Sequence, residues 1–206
     1  MVMSSQEQFM STLSITADTP VIPETAALDG GMLFWAGLSF GTASFTQYLV
    51  LSGKVHLANP AMTGLIWMGA TAAFVLFGVV FKVGSDPLVL QQPATKRFRA
   101  VWSSLILGAA IVIAALMIMM AKFQVGANAA FIVSPIALSI YGIGWRVAAL
   151  MSGKRWPNLL SLGSFVGAIC LALLAGRPEQ SLLYTACLAI FAVIPGLLLL
   201  LRQNSN

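Results

Sequence analysis

The residues with the clearest potential to contact a solute lie between positions 39 and 47. Ser39, Thr42 and Thr46 recur at intervals of three and four residues, so a helix places them on one stripe, with Gln47 nearby. Their hydroxyl and amide groups exchange hydrogen bonds without carrying charge. The stripe predicts either a polar path or pocket for a small solute, or side chains that bond to carbonyls of their own or a neighbouring helix. We favour the second interpretation because such bonds are common in apolar helices.

Glycines form a second pattern with a structural meaning. Gly37 and Gly41 are four residues apart, and Gly163 and Gly167 repeat that spacing near the C-terminus. Small residues one helical turn apart let two helix backbones approach closely. We therefore predict that these four glycines are helix-packing positions, and that the bulky flank containing Leu38 faces lipid.

Residue types that support catalysis or metal binding are scarce. His56 is the only histidine, which excludes bis-histidine haem ligation and disfavours a histidine-based zinc site. Cys170 and Cys187 lie in apolar segments, where we expect them to act as small packing residues. The chain contains no H-E-x-x-H or P-loop pattern. Residues 37–41 read GLSFG and match G-x-S-x-G, but they lie within a long apolar segment and not at the strand-to-helix turn in which that motif positions a nucleophilic serine. We predict no enzymatic activity, no metal site and no cofactor.

These residues belong to long apolar segments that contain no Asp or Glu. Apolar residues make up 59% of the chain and charged residues 8%, whereas a soluble domain has about 25% charged residues. Each segment is about long enough to cross a hydrocarbon layer of about 30 Å as a helix. The sequence predicts an all-α integral membrane protein, with residues 31–202 forming a bundle of six transmembrane helices. The predicted spans are 31–52, 61–81, 100–121, 127–147, 157–175 and 180–201.

The positions of Lys and Arg predict the orientation. If both termini are cytoplasmic, eight basic residues lie on the cytoplasmic side and three on the other, as the positive-inside rule requires. We therefore expect the bacterial inner (cytoplasmic) membrane with both termini in the cytoplasm. The eight are Lys82, Lys96, Arg97, Arg99, Arg146, Lys154, Arg155 and Arg202, and the three are Lys54, Lys122 and Arg177.

A similarity between two span ends suggests an internal repeat. Residues 76–83 read LFGVVFKV and residues 140–147 read IYGIGWRV. If the similarity is more than chance among apolar helices, the fold consists of three tandem helical hairpins, and Gly78 corresponds to Gly142.

Prolines and tryptophans refine the spans. Pro135 lies near the middle of span four and Pro195 within span six, and each predicts a kink because proline removes a backbone donor. Trp145 ends span four and is expected at the membrane interface.

The segment 1–30 differs from the rest of the chain. It contains four acidic residues, two prolines and no Lys or Arg, and we expect a flexible acidic cytoplasmic tail. The net charge of +5 arises at helix ends, so anionic lipid is the expected partner and nucleic acid is not.

These patterns favour a multi-pass inner-membrane protein without catalytic chemistry. We expect it to act through helix packing or through binding to a membrane-protein partner or to another copy of itself. The alternative is a small permease, channel or substrate-binding membrane subunit for an uncharged or small solute. The hydroxyl stripe, the two kinks and the hairpin repeat are the features that favour this alternative.

Overall fold

The computed structural model describes residues 30–57, 62–84, 93–123 and 131–203, and residues 1–29 of the predicted tail lie outside these ranges. The described residues form helices joined by short connections and contain no strand. The elements are α1 (Gly30–Leu51), α2 (Met62–Gly84), α3 (Pro93–Phe123), α4 (Val133–Ser152), α5 (Trp156–Leu173), α6 (Pro178–Leu188), the π-helical turn (Ala189–Val193) and α7 (Ile194–Gln203). We refer to α6, the π-helical turn and α7 together as the last helix.

Five of these segments are long and apolar enough to cross a membrane. They account for five of the predicted spans, and α1 is not among them. Although α1 has 22 residues, it carries the serines, threonines and glutamine between residues 39 and 47, which lower its mean hydropathy. The five segments are Met62–Val80, Ala100–Met119, Val133–Ser152, Trp156–Leu173 and Pro178–Arg202.

The fourth helix lies further along the chain than predicted. It begins at Val133 and ends at Ser152, whereas the prediction ran from 127 to 147. Pro135 is therefore the third residue of α4, in the first turn, where backbone N–H groups have no partner within the helix. The prediction that Pro135 kinks the middle of a span is wrong for that reason.

Proline has a different effect in the last helix. The π-helical turn Ala189–Val193 immediately precedes the sequence Ile194-Pro195-Gly196. A single π-helical turn is a recognised response to a residue that interrupts the regular hydrogen bonds of an α-helix. The disruption predicted near Pro195 takes this form.

The core is built from α4, α5 and the last helix. These three elements supply the buried side chains of both apolar clusters, while α1 packs along the last helix and also contacts α2. The membrane-length parts of α2 and α3 contain no buried residue, so both helices lie at the edge of the bundle. One cluster consists of Leu138, Ala168, Leu171, Tyr184, Cys187 and Leu188, and the other of Trp145, Ala148 and Leu199.

The two glycines that the proposed repeat pairs have different surroundings. Gly78 of α2 faces α1, where a Cβ would lie 3.4 Å from Cε of Met32. Gly142 of α4 faces α5, where a Cβ would lie 2.8 Å from the ring of Phe165. Gly144 and Tyr141 of α4 both contact Trp102 of the preceding helix, α3. These contacts do not support a hairpin repeat in the predicted register.

Candidate functional site along the first and last helices

The closest contact between helices that are distant in sequence joins α1 to the last helix. A Cβ added to Gly30 would lie 2.7 Å from Cβ of Leu199, and one added to Gly37 would lie 2.8 Å from Cβ of Ala192. As numbers rise along α1 they fall along the last helix, so the two helices are antiparallel. We call this contact the glycine seam. It extends along α1 from Gly30 to Ser44, a length of about 21 Å at a rise of about 1.5 Å per residue.

Backbone meets backbone at Gly30, where a Cβ would lie 2.8 Å from the carbonyl oxygen of Gly196, and at two further points of the seam. A Cβ at Gly37 would lie 2.9 Å from the amide nitrogen of Val193. A Cβ at Gly196, on the opposite side, would fall on the backbone nitrogen of Phe34. Backbone atoms cannot turn aside as a flexible side chain can. Glycine is therefore the residue that fits at all three positions.

Hydroxyl groups hold the other end of the seam. The Oγ of Ser44 donates a hydrogen bond of 2.8 Å to the carbonyl of Ser181, and both residues are buried. The Oγ1 of Thr185 lies 3.0 Å from the same carbonyl and 3.4 Å from that of Gly41. Gly41 itself has more room, because its Cβ would lie 4.0 Å from Cβ of Leu188. These bonds link α1 to α6 inside an apolar bundle.

The predicted hydroxyl stripe lies on another face of α1. Thr42 is exposed, and its hydroxyl donates to the carbonyl of Leu38 at 2.8 Å. The hydroxyl of Thr46 donates to the carbonyl of Thr42 at 2.9 Å, and Ser39 is half-buried. Leu38 is 41% exposed, on the flank predicted to face lipid. Each threonine thus directs its proton to its own helix.

Gln47 points toward α2. Its Oε1 accepts a hydrogen bond of 3.0 Å from the indole nitrogen of Trp67, and Phe40 stacks on the same indole with ring centroids 6.4 Å apart. The four predicted polar residues therefore do not converge on one point. Thr42 and Thr46 bond within α1, Gln47 bonds to α2, and Ser39 is half-buried on α1.

The second glycine pair contacts the last helix. A Cβ at Gly163 would lie 2.7 Å from the ring of Phe191, within the π-helical turn. A Cβ at Gly167 would lie 2.9 Å from Cδ2 of Leu138 and 3.1 Å from Sγ of Cys187. These two glycines allow α5 to receive large side chains from α4 and from the last helix.

Trp145 makes a contact that the sequence analysis did not anticipate. It is fully buried within the bundle, and its depth relative to the membrane interface stays a prediction. Its Nε1 donates a hydrogen bond of 3.0 Å to the carbonyl of Phe191. In a regular α-helix the N–H of Pro195 would serve this carbonyl, and proline has none. Trp145 supplies the donor that Pro195 lacks, and so ties α4 to the last helix.

A hydrogen bond from a side chain to a backbone carbonyl also joins α4 to α5. The Oγ of Ser161 donates a bond of 2.7 Å to the carbonyl of Gly142. At the end of the hairpin, Nη1 of Arg146 donates to Oδ1 of Asn158 at 2.5 Å. Ser161 thus bonds across the hairpin, whereas the buried Ser164 donates to the carbonyl of Leu160 in its own helix.

In the described parts of the chain, no group of three or more His, Cys, Asp or Glu side chains could hold a metal ion. No family model, curated protein or solved structure matches this chain. The functional interpretation therefore depends on the contacts of the helices.

Proposed function

We propose that this chain is a six-span protein of the bacterial inner membrane that acts by binding another membrane helix, without catalytic chemistry. Both termini are cytoplasmic in this proposal, as the distribution of Lys and Arg favours. The helix that it binds belongs to a partner protein or to a second copy of this chain.

The observation that carries this proposal is the use of the buried polar groups. Ser44, Thr185, Trp145 and Ser161 each donate to a backbone carbonyl of a neighbouring helix. In a bilayer such bonds and close packing of small residues are the forces that join helices. These polar groups support helix association more directly than transport of a solute.

That α1 also spans the membrane is part of the same proposal. Its polar side chains lower its hydropathy, but in a bilayer a polar group is expensive only when it lacks a partner. The hydroxyls of Thr42, Thr46 and Ser44 donate to carbonyls, and Gln47 accepts from Trp67. With 22 residues, α1 is long enough to span about 30 Å.

The outer faces of α2 and α3 are the binding surface that we propose. Glycine in a helix costs about 1 kcal/mol relative to alanine, so a helical glycine usually has a packing reason. In the glycine seam the neighbour is visible. Gly64 and Gly69 of α2 and Gly108 of α3 are exposed, and no described residue outside their own helix backbone lies within 4 Å of their Cβ positions. Another helix could approach closely at these three positions.

A photo-crosslinking experiment in cells tests this surface. A photoreactive phenylalanine analogue replaces Met68 of α2, which is 67% exposed, or Leu107 of α3, which is 62% exposed. The matched control is Leu159 of α5, which is 71% exposed and which the proposal assigns to lipid. We expect a discrete protein adduct from the first two positions and none from Leu159, and Gly69→Leu should weaken the adduct formed at Met68.

The mass of the adduct identifies the kind of partner. An adduct of twice the mass of the chain, confirmed with two differently tagged copies, indicates self-association, and another discrete mass indicates a partner protein. If α2 and α3 give no more adduct than α5, the proposed binding surface is refuted.

A further inference from the structure

One side chain in the bundle has an unmet hydrogen-bonding atom. Gln180, the third residue of α6, is 1% exposed and lies against the start of α4. Its Nε2 donates to the carbonyl of Phe131 at 2.7 Å and contacts Oγ of Ser134 at 3.1 Å. Its Oε1 is buried and accepts no hydrogen bond from the residues that the structure describes.

The orientation of this amide is fixed by its neighbours. Exchanging the two ends of the Gln180 amide would direct Oε1 at the carbonyl of Phe131, so that two acceptors faced each other. Nε2 must therefore stay where it is, and Oε1 must face the other way. A buried acceptor without a donor is unfavourable, and native proteins satisfy nearly all such atoms with protein or bound molecules. The site calls for a donor that the described residues do not supply.

The surroundings restrict the charge of that donor. Gln180 lies in the first turn of α6 and bonds to residues at the start of α4, and helix N-termini carry partial positive charge. A cation is disfavoured there. A deprotonated anion carries no proton for Oε1, which would repel it. An uncharged O–H or N–H group satisfies both conditions.

We infer that the N-terminal ends of α4 and α6 form a binding site for a small uncharged hydrogen-bond donor, held by Oε1 of Gln180. Ser134 is close enough to the amide to provide a second polar contact. Two sources share this chemistry: solvent water, and a small solute with a hydroxyl or amide group. This site goes beyond the proposed binding of a membrane helix and does not depend on it.

Nuclear magnetic resonance on the full chain in micelles tests the site. The side-chain amide of Gln180 is labelled with ¹⁵N and assigned by the loss of its signals in Gln180→Met. The internal control is Gln47, whose Oε1 already has a donor in Trp67. One arm measures cross-relaxation between the amide protons and water. The other arm titrates acetamide and glycerol, and records the shifts of both glutamine signals.

Each outcome of this experiment has one meaning. Cross-relaxation with long-lived water at Gln180 but not at Gln47 identifies water as the occupant. A saturable shift at Gln180 alone identifies a solute, and acetamide should then raise the thermal midpoint of the natural chain but not of Gln180→Met. If Gln180 shows neither response, or if Gln47 responds equally, the site does not exist.

Discussion

Replacing Gly37 with alanine adds one methyl group to a crowded part of the glycine seam. The new carbon would lie 2.8 Å from Cβ of Ala192 and from Cγ2 of Val193, and 2.9 Å from the backbone nitrogen of Val193. Carbon atoms in favourable contact are about 3.5–4.0 Å apart, so α1 and the last helix would have to separate by about 1 Å. Overpacking of this kind typically costs about 1–3 kcal/mol, while the better helix propensity of alanine returns up to about 1 kcal/mol.

Gly41→Ala is the matched control, on the same helix and the same face. Its new carbon would lie 4.0 Å from Cβ of Leu188, an ordinary contact, so the gain in helix propensity remains. The two variants should therefore differ in stability by about 1–3 kcal/mol.

The thermal midpoint of each variant in detergent micelles measures this difference. At about 2–4 °C per kcal/mol for a chain of this length, Gly37→Ala should melt about 2–12 °C below Gly41→Ala. Equal midpoints, or a lower midpoint for Gly41→Ala, would show that the seam is not packed as described.

The other predictions concern the last helix and the orientation of the chain. Trp145→Phe leaves the carbonyl of Phe191 without its side-chain donor and should destabilise the protein by about 1–3 kcal/mol, measured by the same thermal midpoint. The same change at Trp156 is the control, and an equal loss there would refute the role of the indole hydrogen bond. Single cysteines at Ser4 and Asn204, in a chain without the natural cysteines, should resist a membrane-impermeant thiol reagent added to intact cells. Reaction at either position would overturn the proposed topology.

The helices could be located from apolar length, but their ends could not. Span four was predicted to end at residue 147, but α4 continues to Ser152, because hydropathy records apolar length and not the residue that terminates a helix. Its C-terminal end was marked by a signal that the prediction did not use. Gly153 has φ of 67°, and its N–H bonds to the carbonyl of Ala149, which is how a glycine commonly terminates a helix.

The positions where helices pack closely could be predicted only where the residue type itself indicates that role, as glycine does. Glycine spacing pointed to Gly37 and Gly41 equally, and only the positions of the opposing atoms distinguish the crowded site from the roomy one. The bond from Trp145 to Phe191 depends on which helices are neighbours. The sequence alone could have indicated the acceptor of that bond, because a proline four residues after Phe191 leaves the carbonyl of Phe191 without its helical donor.

The central claim is that the hydroxyl stripe of α1 does not line a path for solutes, because its threonine hydroxyl groups bond within the helix. Solvent accessibility of the hydroxyl stripe tests it most directly. Ser39, Thr42 and Thr46 are replaced singly with cysteine in a chain without natural cysteines, and Val55, in the exposed connection after α1, is the positive control. In purified protein reconstituted into nanodiscs, a membrane-impermeant maleimide should label Val55→Cys rapidly and leave the three stripe positions unlabelled. Labelling of the stripe at a rate close to that of Val55→Cys would contradict the account and support a water-accessible path.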